Sequence, residues 1–175
     1  PDGFATTAFA FQYFLDQNQL MPRLAQLMAQ LDRNNYSNLM AIGAAARDLI
    51  LQANIPDIIC EEILAAYKSL SGTAPIAVAV RSSATAEDLP TASFAGQHES
   101  YLNITGDTAL LKAVHRCFAS LYTDRAIKYR EDNGFEHSKV ALSIGVQKMV
   151  RSDLGCSGVG FTLDPESGFR DVILL

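Results

Sequence analysis

Residues Val78–Ile104 read VAVRSSATAEDLPTASFAGQHESYLNI. With Ile76 and Ala77 before it, the run Val78, Ala79, Val80 is apolar on both faces of an extended chain, which predicts a short strand inside a sheet covered on both sides. Arg81 follows at the C-terminal end of that strand, the edge at which open α/β sheets usually hold ligands. The chain then runs from Ser82 to Gln97 through a loop of mostly small residues, Ser82, Ser83, Thr85, Ser93 and Gly96 among them. A polyphosphate needs backbone N–H groups within reach, side chains small enough to let it approach, and a fixed cation. This stretch offers all three, with Arg81 as the cation held by the strand beneath it. Neither G-x-G-x-x-G nor G-x-x-x-x-G-K-[ST] is present. The phosphate reading therefore competes with that of a surface loop whose serines cap its own turns and whose arginine pairs with Glu87 or Asp88.

On the N-terminal side, residues from about 5 to 72 are expected to be helical. Leu20, Leu24, Leu27, Met28 and Leu31 recur on one side of a 3.6-residue period. Asn34, Asn35 and Ser37 interrupt it, and Leu39, Ile42, Ala46, Leu49, Ile50 and Ala53 form a second stripe that ends before Pro56. A third helix starts near Pro56 and Asp57, buries Ile59, Ile63, Tyr67 and Leu70, and stops at Gly72.

On the C-terminal side, SYLNI predicts a short strand, and Gly106 with Asp107 caps a long helix. Leu110, Val114, Cys117, Phe118 and Leu121 keep helical spacing, and the helix fades through DRAIKYREDNG to a stop at Gly134. Arg125, Lys128 and Arg130 read as its solvated face. In KVALSIGVQKMV, bulky Val140, Leu142, Ile144 and Val146 alternate with Ala141, Ser143, Gly145 and Gln147, a period of two that marks a strand with one slim face. A purine could lie on Val and Met side chains of GVQKMV while its edge bonds to strand backbone, with Gly145 leaving room beside it. RSDLG predicts a turn, CSGVGFTL a return strand, DPESG another turn and FRDVILL a third strand. The ends of the chain, PDGF without an initiator Met and an unfinished FRDVILL run, are those expected of a fragment.

Composition narrows the classes. A chain of 175 residues, 49% hydrophobic, buries a real core. With 14 Lys and Arg against 19 Asp and Glu, its formal charge of −5 argues against nucleic acid or anionic membrane as partner. No apolar run approaches the roughly 18 residues of a membrane span, and the expected location is cytoplasmic. Cys60, Cys117 and Cys156 lie far apart without metal-ligand spacing, and Cys117 fits a helical core position. His115 and His137 have no suggestive sequence neighbours, and His98 reads as an exposed loop histidine.

The stretches VAVRSSATAEDLPTASFAGQHESYLNI, LYTDRAIKYRED and KVALSIGVQKMVRSDLGCSGVGFTLDPESGFRDVIL, with PDGFATTAFAF near the start, resemble the nucleotide-binding domain of the phosphoenolpyruvate synthase and pyruvate, phosphate dikinase family. The resemblance is dense from Ile76 to Leu175 and loose over the helical first third. It implies a partial ATP-grasp fold of the α+β class, a helical N-terminal layer (residues 1–72) packed on a mixed β-sheet part (residues 73–175). It also implies ATP as ligand, with Arg81 contacting the phosphates and acting as the catalytic cation. Gly96 and Ser100 would lie in a mobile phosphate-covering loop, and Gln147, Met149 and Val150 would border adenine. Where the family pattern has glutamine and threonine, this chain has His98 and Ser100. Mg2+ ligands, the phosphate-binding lysine, the swivelling phosphohistidine domain and the pyruvate domain are implied outside the chain, which alone is expected to be inactive. The full-length enzyme implied is a pyruvate, water dikinase and a possible homodimer. The alternatives are an ATP-grasp phosphotransferase acting on another acceptor, an antibiotic or a glucan, and a non-catalytic nucleotide-binding module.

Overall fold

The computed structural model describes residues 1–84 and 99–174, and the backbone alone of 88–89 and 92–93. Strand β1 (Gly3–Thr6) opens the chain, followed by helices α1 (Ala8–Gln17), α2 (Leu20–Ala29), α3 (Leu39–Gln52) and α4 (Asp57–Ser71). Then come β2 (Val78–Ala84), a two-residue ribbon of β3 (Asp88–Leu89) and β4 (Ala92–Ser93), β5 (Ser100–Ile104), α5 (Asp107–Ser120), α6 (Asp124–Asp132) and β6 (Leu142–Lys148). The fold is α+β. Its main sheet has the order β1-β6-β2-β5, with every pairing antiparallel.

The three apolar stripes form helices where their spacing places them. α2 buries Leu20, Leu24 and Met28, α3 buries Ile42, Ala46 and Ile50, and α4 buries Ile59, Ile63 and Tyr67. α4 carries Asp57 in its first turn and Lys68 in its last, the signs that suit its dipole, and closes at Gly72 with φ +71°, a conformation glycine adopts without strain. One face of the sheet, Leu142, Ile144 and Val146 with Val78 and Val80, is buried. Phe118 of α5 lies 5.2 Å from Phe11 and 5.1 Å from Phe14 of α1, ring centroid to ring centroid, and all three rings belong to this core. Cys117 is buried with them, its thiol pushed up to about 12 by desolvation, as befits a core hydrophobe.

The fold departs from the sequence expectation in five places. Gly3–Thr6 is a strand rather than a helix start, because it pairs with β6 from Gly3↔Gln147 to Thr6↔Ile144. β2 runs on past Val80 to Ala84, since β6 supplies partners for all seven of its residues; Arg81 is therefore mid-strand, not at the strand's end. The long helix after Gly106 is two helices. Leu121 and Tyr122 interrupt it, and Thr123 starts α6 by accepting the Ala126 N–H on its hydroxyl. Arg130 is fully buried rather than solvated. Finally, CSGVGFTL and FRDVILL form no ladder among the described residues. The Asp164–Gly168 turn forms as expected, but it is joined by the single antiparallel bridge Phe161↔Leu174, in a segment that is exposed almost throughout. No helix of the described residues is long and apolar enough to cross a membrane.

Candidate functional site

The second face of the sheet is built from slim residues. Cross-strand partners share a face, and the register puts Arg81 of β2 between Gly145 of β6 and Ser100 of β5. One period along lie Ala79 and Gln147, and one period back Ser83 and Ser143. β1 extends this face with Ala5 beside Gly145 and Gly3 beside Gln147. Over β1, β6 and β2, Arg81 and Gln147 are thus the only long side chains on an otherwise small-residue shelf.

Arg81 is exposed, and no hydrogen bond or ion pair ties its guanidinium to a described residue. Its backbone, by contrast, is held from both sides, by β6 and by β5. The strand fixes where the side chain leaves the sheet, and the guanidinium has no ion pair with a described residue to break before it meets an anion. Gln147 is half-buried. The ladder continues one bond beyond β6, where the Met149 N–H donates to the Ala77 carbonyl at 3.0 Å, and Val150 is 64% exposed. Ser100 is exposed at the start of β5. Gly96, together with Thr85, Glu87 and His98, lies outside the described residues, and so do the side chains of Asp88 and Ser93.

The geometry thus gathers Arg81, Ser100 and Gln147 on one face, with Met149 and Val150 at the end of the same strand. Sequence reasoning placed Ser143 on the slim face of β6 but missed Gly3, Ala5 and Ala79 as parts of that shelf. For Gly3 and Ala5 a signal existed, the alternation of small with larger residues in GFAT, but four residues carry too little of it to separate a strand from the start of a helix. A cleft of about 420 Å³ at the end of α4, between Tyr67, Lys68, Gly72 and Asp107, contains none of the candidate residues.

A second polar cluster sits in the helical layer. Arg130 donates from Nε to His137 Nδ1 at 2.8 Å and lies over the Tyr122 ring, 5.3 Å from its centroid. Its Nη1 and Nη2 are buried without partners among the described residues. Burial lowers its pKa to about 10, so it stays charged at neutral pH. Because Nε–H can only donate, His137 Nδ1 is the acceptor, and the His137 proton sits on Nε2, which donates to Glu131 Oε1 at 2.8 Å. Glu131 Oε2 accepts from Arg33 Nε at 2.7 Å. His137, unremarkable in sequence, is thus the link between two arginines and a carboxylate. His115, the other, bonds through Nε2 to the Ile50 carbonyl at 2.7 Å.

Among the described residues no group of three or more His, Cys, Asp or Glu is placed to hold a metal ion. The described residues therefore offer no such cluster to magnesium.

Comparison with known proteins bears on what such a shelf binds. Over residues 1–175 the chain matches the family described as pyruvate phosphate dikinase, AMP/ATP-binding domain. Phosphoenolpyruvate synthase of Synechocystis sp. is 51% identical over 182 residues, covering 100% of this chain and 22% of that protein. Phosphoenolpyruvate synthase of Neisseria meningitidis is 53% identical over 178 residues, and that of Escherichia coli 49% over 176, each covering 100% of this chain and 22% of the relative. The chain thus spans about a fifth of the length of these curated relatives. A match along its whole length establishes that the chain belongs to the pyruvate phosphate dikinase AMP/ATP-binding domain family.

Proposed function

We propose that this chain is the ATP-binding part of a phosphoenolpyruvate synthase, a pyruvate, water dikinase of the ATP-grasp type. ATP lies on the slim face of the sheet, with Arg81 against the β- and γ-phosphate oxygens. Gln147, Met149 and Val150 border the adenine, while Gly96 and Ser100 cover the phosphates. In this reading residues 1–175 are one incomplete nucleotide-binding domain. The phosphohistidine domain, the pyruvate domain and the magnesium ligands belong to the rest of the protein, and the protein works in the cytoplasm. The β-phosphate passes to a histidine and water takes the γ-phosphate. The phosphohistidine then gives its group to pyruvate, so that ATP, pyruvate and water become AMP, phosphoenolpyruvate and phosphate.

Phosphoryl transfer asks the protein mainly for alignment and for charge opposite the transferring oxygens. Arg81 supplies the charge, from a backbone pinned on two sides that fixes where its side chain leaves the sheet, and this is the observation that carries the reading. In the full-length protein, Arg81→Ala should lower the rate of ATP-dependent histidine phosphorylation on the order of 10²-fold or more, with the melting temperature unchanged. Labelling from β-³²P ATP measures it. Labelling at the unmodified rate overturns the assignment.

A further inference from the structure

A glycine inside a strand weakens it, because it loses more backbone entropy on folding and gives the sheet no side chain to pack. β6 nevertheless carries Gly145 at its centre, across from Arg81 on one side and Ala5 on the other. Two needs of the fold could demand glycine there: a left-handed backbone, or a lack of room for a side chain. Neither applies. The φ of Gly145 lies outside the left-handed region, and among the described residues a Cβ built on it meets nothing nearer than the Arg81 carbonyl oxygen at 3.9 Å, an ordinary van der Waals contact. Gly3, on the same face opposite Gln147, differs: a Cβ there would collide with the Val146 carbonyl oxygen, so the pairing of β1 with β6 itself requires glycine.

The room above Gly145 is therefore kept for something that is not part of the described fold. We infer that Gly145 is part of the nucleotide-binding surface, its missing side chain letting the ligand lie against the sheet between Arg81 and Gln147. The inference rests on the nucleotide occupying this face, as proposed above. Gly145 is about 7 Å along β6 from Gln147, and it is level with Arg81. The portion of nucleotide crossing it is accordingly the junction of sugar and first phosphate. A methyl group there fits the protein and not the ligand, which lifts that junction off the strand and away from the guanidinium.

The test is calorimetric binding of ATP to the full-length protein, with melting temperatures measured without nucleotide, for Gly145→Ala, Gly145→Val, Gly3→Ala and Arg81→Ala. Gly145→Ala should bind ATP on the order of tenfold more weakly and Gly145→Val on the order of 100-fold, both melting at or above the parent temperature. Gly3→Ala should melt lower. ATP affinity within about twofold of the parent in both Gly145 variants, while Arg81→Ala loses affinity, overturns this inference and leaves the Arg81 reading standing. Loss in the Gly145 variants with none in Arg81→Ala supports the inference and overturns the role of Arg81 instead. A drop in melting temperature for Gly145→Ala as large as that for Gly3→Ala shows that the fold requires the glycine, and overturns the inference.

Discussion

Arg81 and Arg130 are the same residue type in opposite surroundings, one exposed on the slim face of the sheet and one sealed in the core. Arg130 satisfies one donor on His137 and leaves two nitrogens unpartnered among the described residues, an arrangement that costs folding energy unless the rest of the side chain packs well. Arg130→Ala should destabilise by about 3–5 kcal/mol, since it removes the His137 bond and leaves a cavity beside Tyr122. Arg130→Met, which fills much of that volume and discards the orphan N–H groups, should cost roughly half as much or less. Urea unfolding midpoints decide between them. A Met variant as unstable as the Ala variant would show that both nitrogens have partners.

At the scale of elements, two small contacts set where segments begin. Thr123 caps α6 through its hydroxyl and so turns one stretch of helical pattern into two helices. Thr123→Ala should lower stability by about 1 kcal/mol, read as a shift of the denaturation midpoint at constant slope. Tyr67 of α4 joins three segments: its hydroxyl donates to the Ile76 carbonyl at 2.7 Å, ahead of β2, and accepts the Gly106 N–H at 3.1 Å, ahead of α5. Tyr67→Phe leaves both groups unpartnered in a partly buried place and should cost about 1–3 kcal/mol. Hydrogen exchange would then quicken at the Gly106 amide before it quickens in β6. Equal exchange at Gly106 in both proteins would rule the clamp out.

At the scale of the whole molecule, the cluster of Arg33, Glu131, His137 and Arg130 makes stability depend on acid. Burial first, then the Arg130 charge, hold the His137 pKa below its ordinary 6.5, so the unfolded chain takes up the proton that the native state refuses. Burial works the other way on Glu131, but hydrogen bonds from Arg33 and His137 outweigh it and hold its carboxyl below its usual 4.5. Both contributions are complete above the unfolded values and are lost as pH falls, that of His137 from about 6.5 downward and that of Glu131 from about 4.5 downward. Stability measured against pH should therefore decline below about 6.5, and His137→Gln should flatten the upper part of that decline. An unchanged slope between pH 6.5 and 5 in this variant would count against the network. What the chain determined by itself is everything that neighbours in sequence decide. The stripes of α2, α3 and α4, the alternation of β6, the SYLNI strand and the stop at Gly72 follow from spacing, and the slim face with Gly145 and Gln147 was legible in the same way. Only the tertiary structure decided what depends on a distant partner. β6 makes a strand of Gly3–Thr6 and extends β2 through Arg81, while His137 and Tyr122 give a buried place to an arginine whose local pattern is that of a solvated helix face. Periodicity records which side of an element is apolar, but hydrogen bonds between strands and the burial of a charge depend on what lies across from them, as Gln147 lies across from Gly3 at the far end of the chain.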